Sequence, residues 1–148
     1  MTGVALHHVG TALILPDDAH YHALVVHGRV GMDEIAPHGI SDVWEVKAGD
    51  VTVWEIDPDR YGLAIGDVTP LAGAAPAANA ARIEALLGDG GHDVAGLAAV
   101  LLNAGAAIYV SGLADSYADG VTRAREVVRA GKGREALERL RRATNIAG

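Results

Sequence analysis

The 148-residue chain contains no cysteine, which excludes a disulfide framework, a thiolate nucleophile and a cysteine-based zinc site. That absence is compatible with a reducing, cytoplasmic compartment. Positive charge is also scarce. Twelve Lys and Arg stand against 19 Asp and Glu, giving a net charge of −7, whereas a nucleic-acid partner would require a basic face. The basic residues that exist gather late, from Arg123 to Arg142, and alternate with Glu126, Glu135 and Glu138. That is the pattern of a solvated helix face rather than a phosphate patch. No basic segment leads into an apolar core near the N-terminus, so no signal peptide is read there. One uncharged run, residues 94–114, is long enough to cross a bilayer, but it is built largely of Ala and Gly with Asn103 and Ser111 inside it. Small residues gain little by transfer to lipid, so the run reads as a buried helix and no membrane partner is expected. There is no His-Glu-x-x-His pattern, no internal repeat and no spacing that suggests a Ser/His/Asp triad.

What is present is the composition of a globular protein, with half the residues apolar and 21% charged. The length suits one domain with a real core. Residues 11–15 are apolar enough for a strand that ends at Pro16-Asp17-Asp18. Residues 23–26 form a continuous apolar run, expected for a strand covered on both faces in a parallel sheet. Residues 43–46 and 51–56 read as a β-hairpin across Lys47-Ala48-Gly49-Asp50, with Trp44 and Trp54 packing across it. Four helices are expected after that. The first covers 77–87, with Ala80, Ile83 and Leu87 on one face. The second, 94–110, is apolar almost all round. The third runs from a cap at Asp115 or Ser116 to about Ala130, with Val121, Ala124, Val127 and Val128 inward. The fourth is short, 135–142.

The chemistry concentrates where the run Ala23-Leu24-Val25-Val26-His27-Gly28 leads, past Arg29 and Val30, into Gly31-Met32-Asp33-Glu34-Ile35. Ligands of α/β folds bind just beyond the carboxyl ends of strands. Two neighbouring carboxylates there suit Mg²⁺, a hard cation that takes oxygen ligands and keeps company with phosphates; the alternative is a solvated turn. Adjacent residues of a strand point to opposite faces, so Asp33 and Glu34 reach one ion only where the backbone turns. Gly28, Gly31 and Gly39 supply the freedom for that turn. His20-x-His22 and His27 invite a zinc reading, but no carboxylate stands at a companion spacing, and His7-His8 reads as solvated. Asn103, inside the most apolar helix, is expected to hydrogen-bond to backbone or to a nearby side chain in a structural role.

Asp33-Glu34-Ile35-Ala36-Pro37-His38-Gly39, Ile56-Asp57-Pro58-Asp59-Arg60-Tyr61-Gly62-Leu63, Ala78-Asn79-Ala80-Ala81 and Val100-Leu101-Leu102-Asn103-Ala104-Gly105-Ala106-Ala107-Ile108-Tyr109-Val110 follow in that order. The series resembles the C-terminal part of the anthranilate phosphoribosyltransferases, enzymes of tryptophan biosynthesis. The resemblance begins near Ala23, so residues 1–20 stand apart as an unmatched segment and 21–148 form the matching one. It implies an α/β domain with a mixed sheet flanked by helices. It further implies Mg²⁺ on Asp33 and Glu34, a substrate loop including Gly28 and Gly31, and phosphoribosyl pyrophosphate and anthranilate as small-molecule partners. His27 matches a residue commonly found at that strand end in the family. Asn79 matches the end of a Gly-Gly-x-x-x-x-Asn turn whose first part here reads Ala72-Gly73-Ala74-Ala75; it is expected to cap or start a helix.

The family's Gly-Thr-Gly-Gly-Asp loop and Lys-His-Gly-Asn-Arg segment occur nowhere in the sequence. The resemblance therefore implies a chain inactive alone, with three readings open. It is one half of a split enzyme that self-associates or needs a complementary chain, a non-catalytic remnant, or an unrelated acidic binding module. A central place in the sheet for residues 23–27 would exclude the last.

Overall fold

The computed structural model describes residues 21–89 and 92–144. The strand expected at 11–15, together with His7, His8 and His20, lies outside them. Three strands come first: β1 (His22–Gly28), β2 (Ser41–Lys47) and β3 (Asp50–Ile56). Four helices follow: α1 (Pro76–Asp89), α2 (Val94–Val110), α3 (Tyr117–Arg129) and α4 (Lys132–Thr144). Helices and sheet share one core, as an α/β reading requires.

The strand pairing departs from expectation. The sheet has the order β1-β2-β3 and both pairings are antiparallel. The apolar run at 23–26 thus belongs to an antiparallel strand at one side of the described sheet, neither parallel nor central. Residues 23–26 are also only half-buried rather than covered on both faces, since a strand at one side of the sheet has a neighbour on one flank only, and an apolar run does not specify the direction of that neighbour. The hairpin stands where expected, closed by Ala48 (φ 52°) and Gly49 (φ 88°). Two consecutive positive φ values make a two-residue turn whose twist matches that of the strands it joins. Its register sets Trp44 against Val53 and Val43 against Trp54. The two tryptophans therefore occupy opposite faces of the sheet and do not pack on each other. Trp54 lies on the inner face with Ser41, Val43 and Glu45, its ring centroid 5.8 Å from that of Tyr117.

Side chains cap the starts of α2 and α3. Asp93 accepts from the Gly96 N–H (2.9 Å) at the start of α2 while Arg82 Nε donates to it (2.5 Å). Of the two caps expected for α3, Ser116 is the one used, its Oγ accepting from the Asp119 N–H (3.1 Å). Val43 and Ile56 of the sheet, Leu101 and Leu102 of α2, and Val121 and Ala124 of α3 form the core with Ile35 from the loop after β1. Two expected stripes shift. In α3, Val121, Ala124 and Val128 are buried and Val127 is exposed, since six residues of helix leave it about 120° from Val121. In α1 the buried residue is Leu86, with Ile83 exposed. No helix among the described residues is long and apolar enough to cross a membrane.

Candidate metal centre

At the end of β1 the chain reverses in a tight turn. The Gly28 N–H donates to the Met32 carbonyl (2.8 Å), and the Met32 N–H returns to the Gly28 carbonyl (3.2 Å). Gly31 adopts φ 92° within the turn, a conformation that glycine takes without steric cost. Gly28 is needed for a second reason. A Cβ there would lie 2.9 Å from the Ala36 Cβ and 3.1 Å from the Glu34 carbonyl oxygen, so the returning chain passes directly over it.

Three residues beyond Met32 the backbone is held again. The Ile35 N–H donates to Asn103 Oδ1 (3.1 Å), and Asn103 Nδ2 donates to the Ile35 carbonyl (3.0 Å) and to the Ala99 carbonyl one turn earlier in α2 (3.0 Å). Next along, the Ala36 N–H donates to the buried Ser41 Oγ (2.9 Å). Beyond that, the Pro37 carbonyl accepts from the Ile65 N–H, and His38 Nδ1 meets the Ile65 carbonyl, both at 2.9 Å. Ile35 and Ala36 are fully buried.

Asp33 and Glu34 are therefore the two residues left between a pair of backbone clamps, Met32 on Gly28 and Ile35 on Asn103. Both are exposed, and neither carboxylate is engaged by another described residue. Arg29, the nearest cation in sequence, is committed elsewhere. It donates to Asp42 (2.6 Å) and to Glu55, and the two carboxylates raise its pKa above the ordinary guanidinium value. Two exposed, unengaged carboxylates on one turn are oxygen donors of the kind a hard divalent cation takes, and would supply part of its coordination. No group of three or more His, Cys, Asp or Glu is gathered around one point among the described residues.

The remaining expected residues scatter. His27 lies opposite Asp42 across the β1–β2 pair. Asn79 stands in the first turn of α1, its Oδ1 accepting from the Ala74 N–H and its Nδ2 donating to the Ala74 carbonyl, both at 3.0 Å. His22, at the opposite end of β1 from the acidic turn, belongs to a centre that sequence reasoning missed. Its Nε2 lies 2.7 Å from Glu45 Oε1, the Tyr109 hydroxyl donates to the same oxygen (2.7 Å), and Trp54 Nε1 donates to Glu45 Oε2 (2.9 Å). Burial pushes the Glu45 carboxyl up, but the bonds from Tyr109, His22 and Trp54 outweigh it and leave the pKa below its ordinary value. The Tyr109 hydroxyl, bonded to that carboxylate and partly buried, is pushed up to about 12. The missed signal was the alternation Ser41, Val43, Glu45, which places a carboxylate on the buried face of β2.

Comparison with known proteins gives the family and the fold. A model of the glycosyl transferase family, a/b domain, matches residues 6–134. An anthranilate phosphoribosyltransferase of Shewanella putrefaciens is 42% identical over 118 residues, covering 80% of this chain and 33% of the relative. The solved anthranilate phosphoribosyltransferase of Thermus thermophilus superposes with a TM-score of 0.69 at 35% identity, over 80% of this chain and 34% of that one. That of Saccharomyces cerevisiae, solved in complex with PRPP and Mg, has the same fold at 22% identity and a TM-score of 0.66, over 79% and 33% of the two chains. The chain thus spans about a third of the length of the relatives it matches.

Proposed function

Because this chain belongs to the glycosyl transferase family, a/b domain, we propose that its acidic turn holds Mg²⁺ against the pyrophosphate of phosphoribosyl pyrophosphate, as one part of an anthranilate phosphoribosyltransferase. The observation that carries the reading is the clamped turn, which presents the Asp33 and Glu34 carboxylates free of other partners among the described residues. Similarity to an enzyme solved with PRPP and Mg supports it. Phosphoribosyl transfer to an amine separates ribose C1 from pyrophosphate, so negative charge builds on the leaving group. A bound Mg²⁺ supplies charge neutralisation there. The chain's own part is to hold two oxygen donors on a backbone that does not need to reorganise. It also keeps Arg29 occupied with Asp42 and Glu55, so the turn stays anionic.

No Gly-Thr-Gly-Gly-Asp or Lys-His-Gly-Asn-Arg segment exists in the sequence to grip the phosphates and the acceptor. Turnover on this reading requires polypeptide beyond these 148 residues, whether covalently continuous or a complementary chain. The family match, and not the position of β1, excludes an unrelated acidic module.

The test is calorimetric titration of the chain with phosphoribosyl pyrophosphate, with and without Mg²⁺, alongside a pyrophosphate-release assay that includes anthranilate. Binding should require Mg²⁺, should vanish in Asp33→Asn combined with Glu34→Gln, and should proceed with no pyrophosphate release. Binding that ignores both the cation and the double substitution would remove the metal assignment. A release rate by the chain alone, abolished by Asp33→Asn, would refute the incomplete site.

A further inference from the structure

We infer that Asn103 is a positioning residue for the acidic turn: its carboxamide fixes the backbone of Ile35 so that Asp33 and Glu34 stay within reach of one divalent cation. The inference deepens, and rests on, the reading of those two carboxylates as Mg²⁺ ligands.

The turn itself restrains only one side of the acidic pair. Met32 is held by two backbone hydrogen bonds to Gly28, the last residue of β1. The other side is tied to a different part of the molecule. Asn103 lies 68 residues away on α2 and presents an acceptor to the Ile35 N–H and a donor to its carbonyl. The pair imitates one rung of an antiparallel ladder, with a side-chain amide in place of a strand. The second Nδ2 proton goes to the Ala99 carbonyl, which locks the amide to its own helix. α2 packs Leu101 and Leu102 into the core, so the amide is held by a rigid element.

The residue type matters as much as the position. Only a carboxamide at this reach can accept from one peptide group and donate to the same residue's carbonyl. Aspartate would accept but not donate, and leucine would do neither. Ile35 is 1% exposed, so its peptide groups have no water to turn to when the amide is lost. The stretch from Asp33 to Ile35 must then shift to find other partners, while Ala36 stays held by Ser41. Partners behind the ligands of a metal site typically change its affinity by about 10–100-fold when removed. The expected loss here is about tenfold, since the clamp on Met32 survives.

The experiment follows Mn²⁺, a paramagnetic stand-in for Mg²⁺, through broadening of the Asp33 and Glu34 amide signals in ¹⁵N-labelled full-length chain. Asn103→Leu removes the clamp, Asn103→Asp keeps the acceptor for the Ile35 N–H, and Asn79→Leu removes an amide–backbone pair of the same kind on Ala74. Wild type should show broadening centred on Asp33 and Glu34. Asn103→Leu should need about ten times more Mn²⁺ for half-broadening, with faster exchange of the Ile35 amide. Asn103→Asp should fall between, and Asn79→Leu should match wild type. An unchanged Mn²⁺ midpoint in either folded Asn103 variant overturns the positioning role and leaves the metal reading standing. An equal weakening in Asn79→Leu overturns it too, because general loosening would then explain the effect. Wild type without broadening at Asp33 and Glu34 defeats the metal reading itself and this inference with it.

Discussion

Replacing Gly120 by alanine should destabilise the domain even though alanine is the better helix former. Gly120 lies in the first turns of α3, where the helix crosses α2 at Gly105. A Cβ on Gly120 would stand 2.3 Å from the Gly105 carbonyl oxygen and 3.1 Å from its carbonyl carbon. Contacts of carbon on carbonyl oxygen settle at roughly 3.3–3.6 Å, so the helices must part by about 1 Å. The obstacle is backbone on the α2 side and cannot swing away as a side chain would. Parting the helices strains two further contacts. The Tyr117 hydroxyl donates to the Leu102 carbonyl at 3.0 Å, and Val121 packs against Gly105. Overpacking of this kind costs about 1–3 kcal/mol, and the weakened hydrogen bond about 1 kcal/mol more. Alanine in place of glycine returns about 1 kcal/mol of helix propensity. The net is a loss of about 1–3 kcal/mol, a fall in Tm of roughly 3–10 °C for a domain of this size. Urea unfolding followed by tryptophan fluorescence reads the effect, since the Trp54 ring lies 5.8 Å from that of Tyr117. Gly66→Ala is the control, because nothing lies within 4 Å of its Cβ position. A Gly120→Ala midpoint at or above wild type would mean that α2 and α3 do not approach this closely, and the packing account would fail.

The hairpin offers a test of opposite sign. Ala48 has φ 52°, a conformation that costs alanine about 1–2 kcal/mol and asparagine less, and Asn-Gly is the preferred pair for this turn. Ala48→Asn should raise the urea midpoint by an amount equivalent to about 0.5–1 kcal/mol; a lower midpoint would refute the turn assignment. The Glu45 centre predicts a pH dependence. Its carboxyl pKa is lowered in the folded state, so its stabilisation is complete above the unfolded value of about 4.3 and is lost as pH falls through the lower folded value. Urea midpoints measured from pH 7 to pH 3 should therefore drop at the acid end, and Glu45→Gln should flatten that drop. An acid limb unchanged by Glu45→Gln would show that the titrating group lies elsewhere.

Much of the helical half was legible along the chain. The apolar helix expected at 94–110 is α2 to the residue, Ser116 is one of the two caps the sequence offers α3, and Ala48-Gly49 announced the hairpin. Each of these signals is local: a capping side chain, a turn dipeptide, an unbroken apolar stretch. The acidic dipeptide was equally visible, and its flanking glycines marked a bend. Residue type and order also carried the family, because the Asp33-Glu34-Ile35 turn and the Leu102-Asn103-Ala104 helix appear in a fixed sequence.

Tertiary structure decided everything that depends on who meets whom. An apolar run marks a strand but neither its depth nor the direction of its partner, so β1 turned out antiparallel and half-buried. Hairpin register, not tryptophan content, sent Trp44 and Trp54 to opposite faces. Glu45 became a buried acceptor for His22, Tyr109 and Trp54 only when α2 closed over the sheet. Asn103 reads in sequence as a polar residue in an apolar helix that must find a partner, and only the fold names Ile35, 68 residues distant. Local rules fix the conformation of a segment through its own backbone and side chains. The matching of donors to acceptors across the core is settled only when the chain collapses and each buried polar group must be paired.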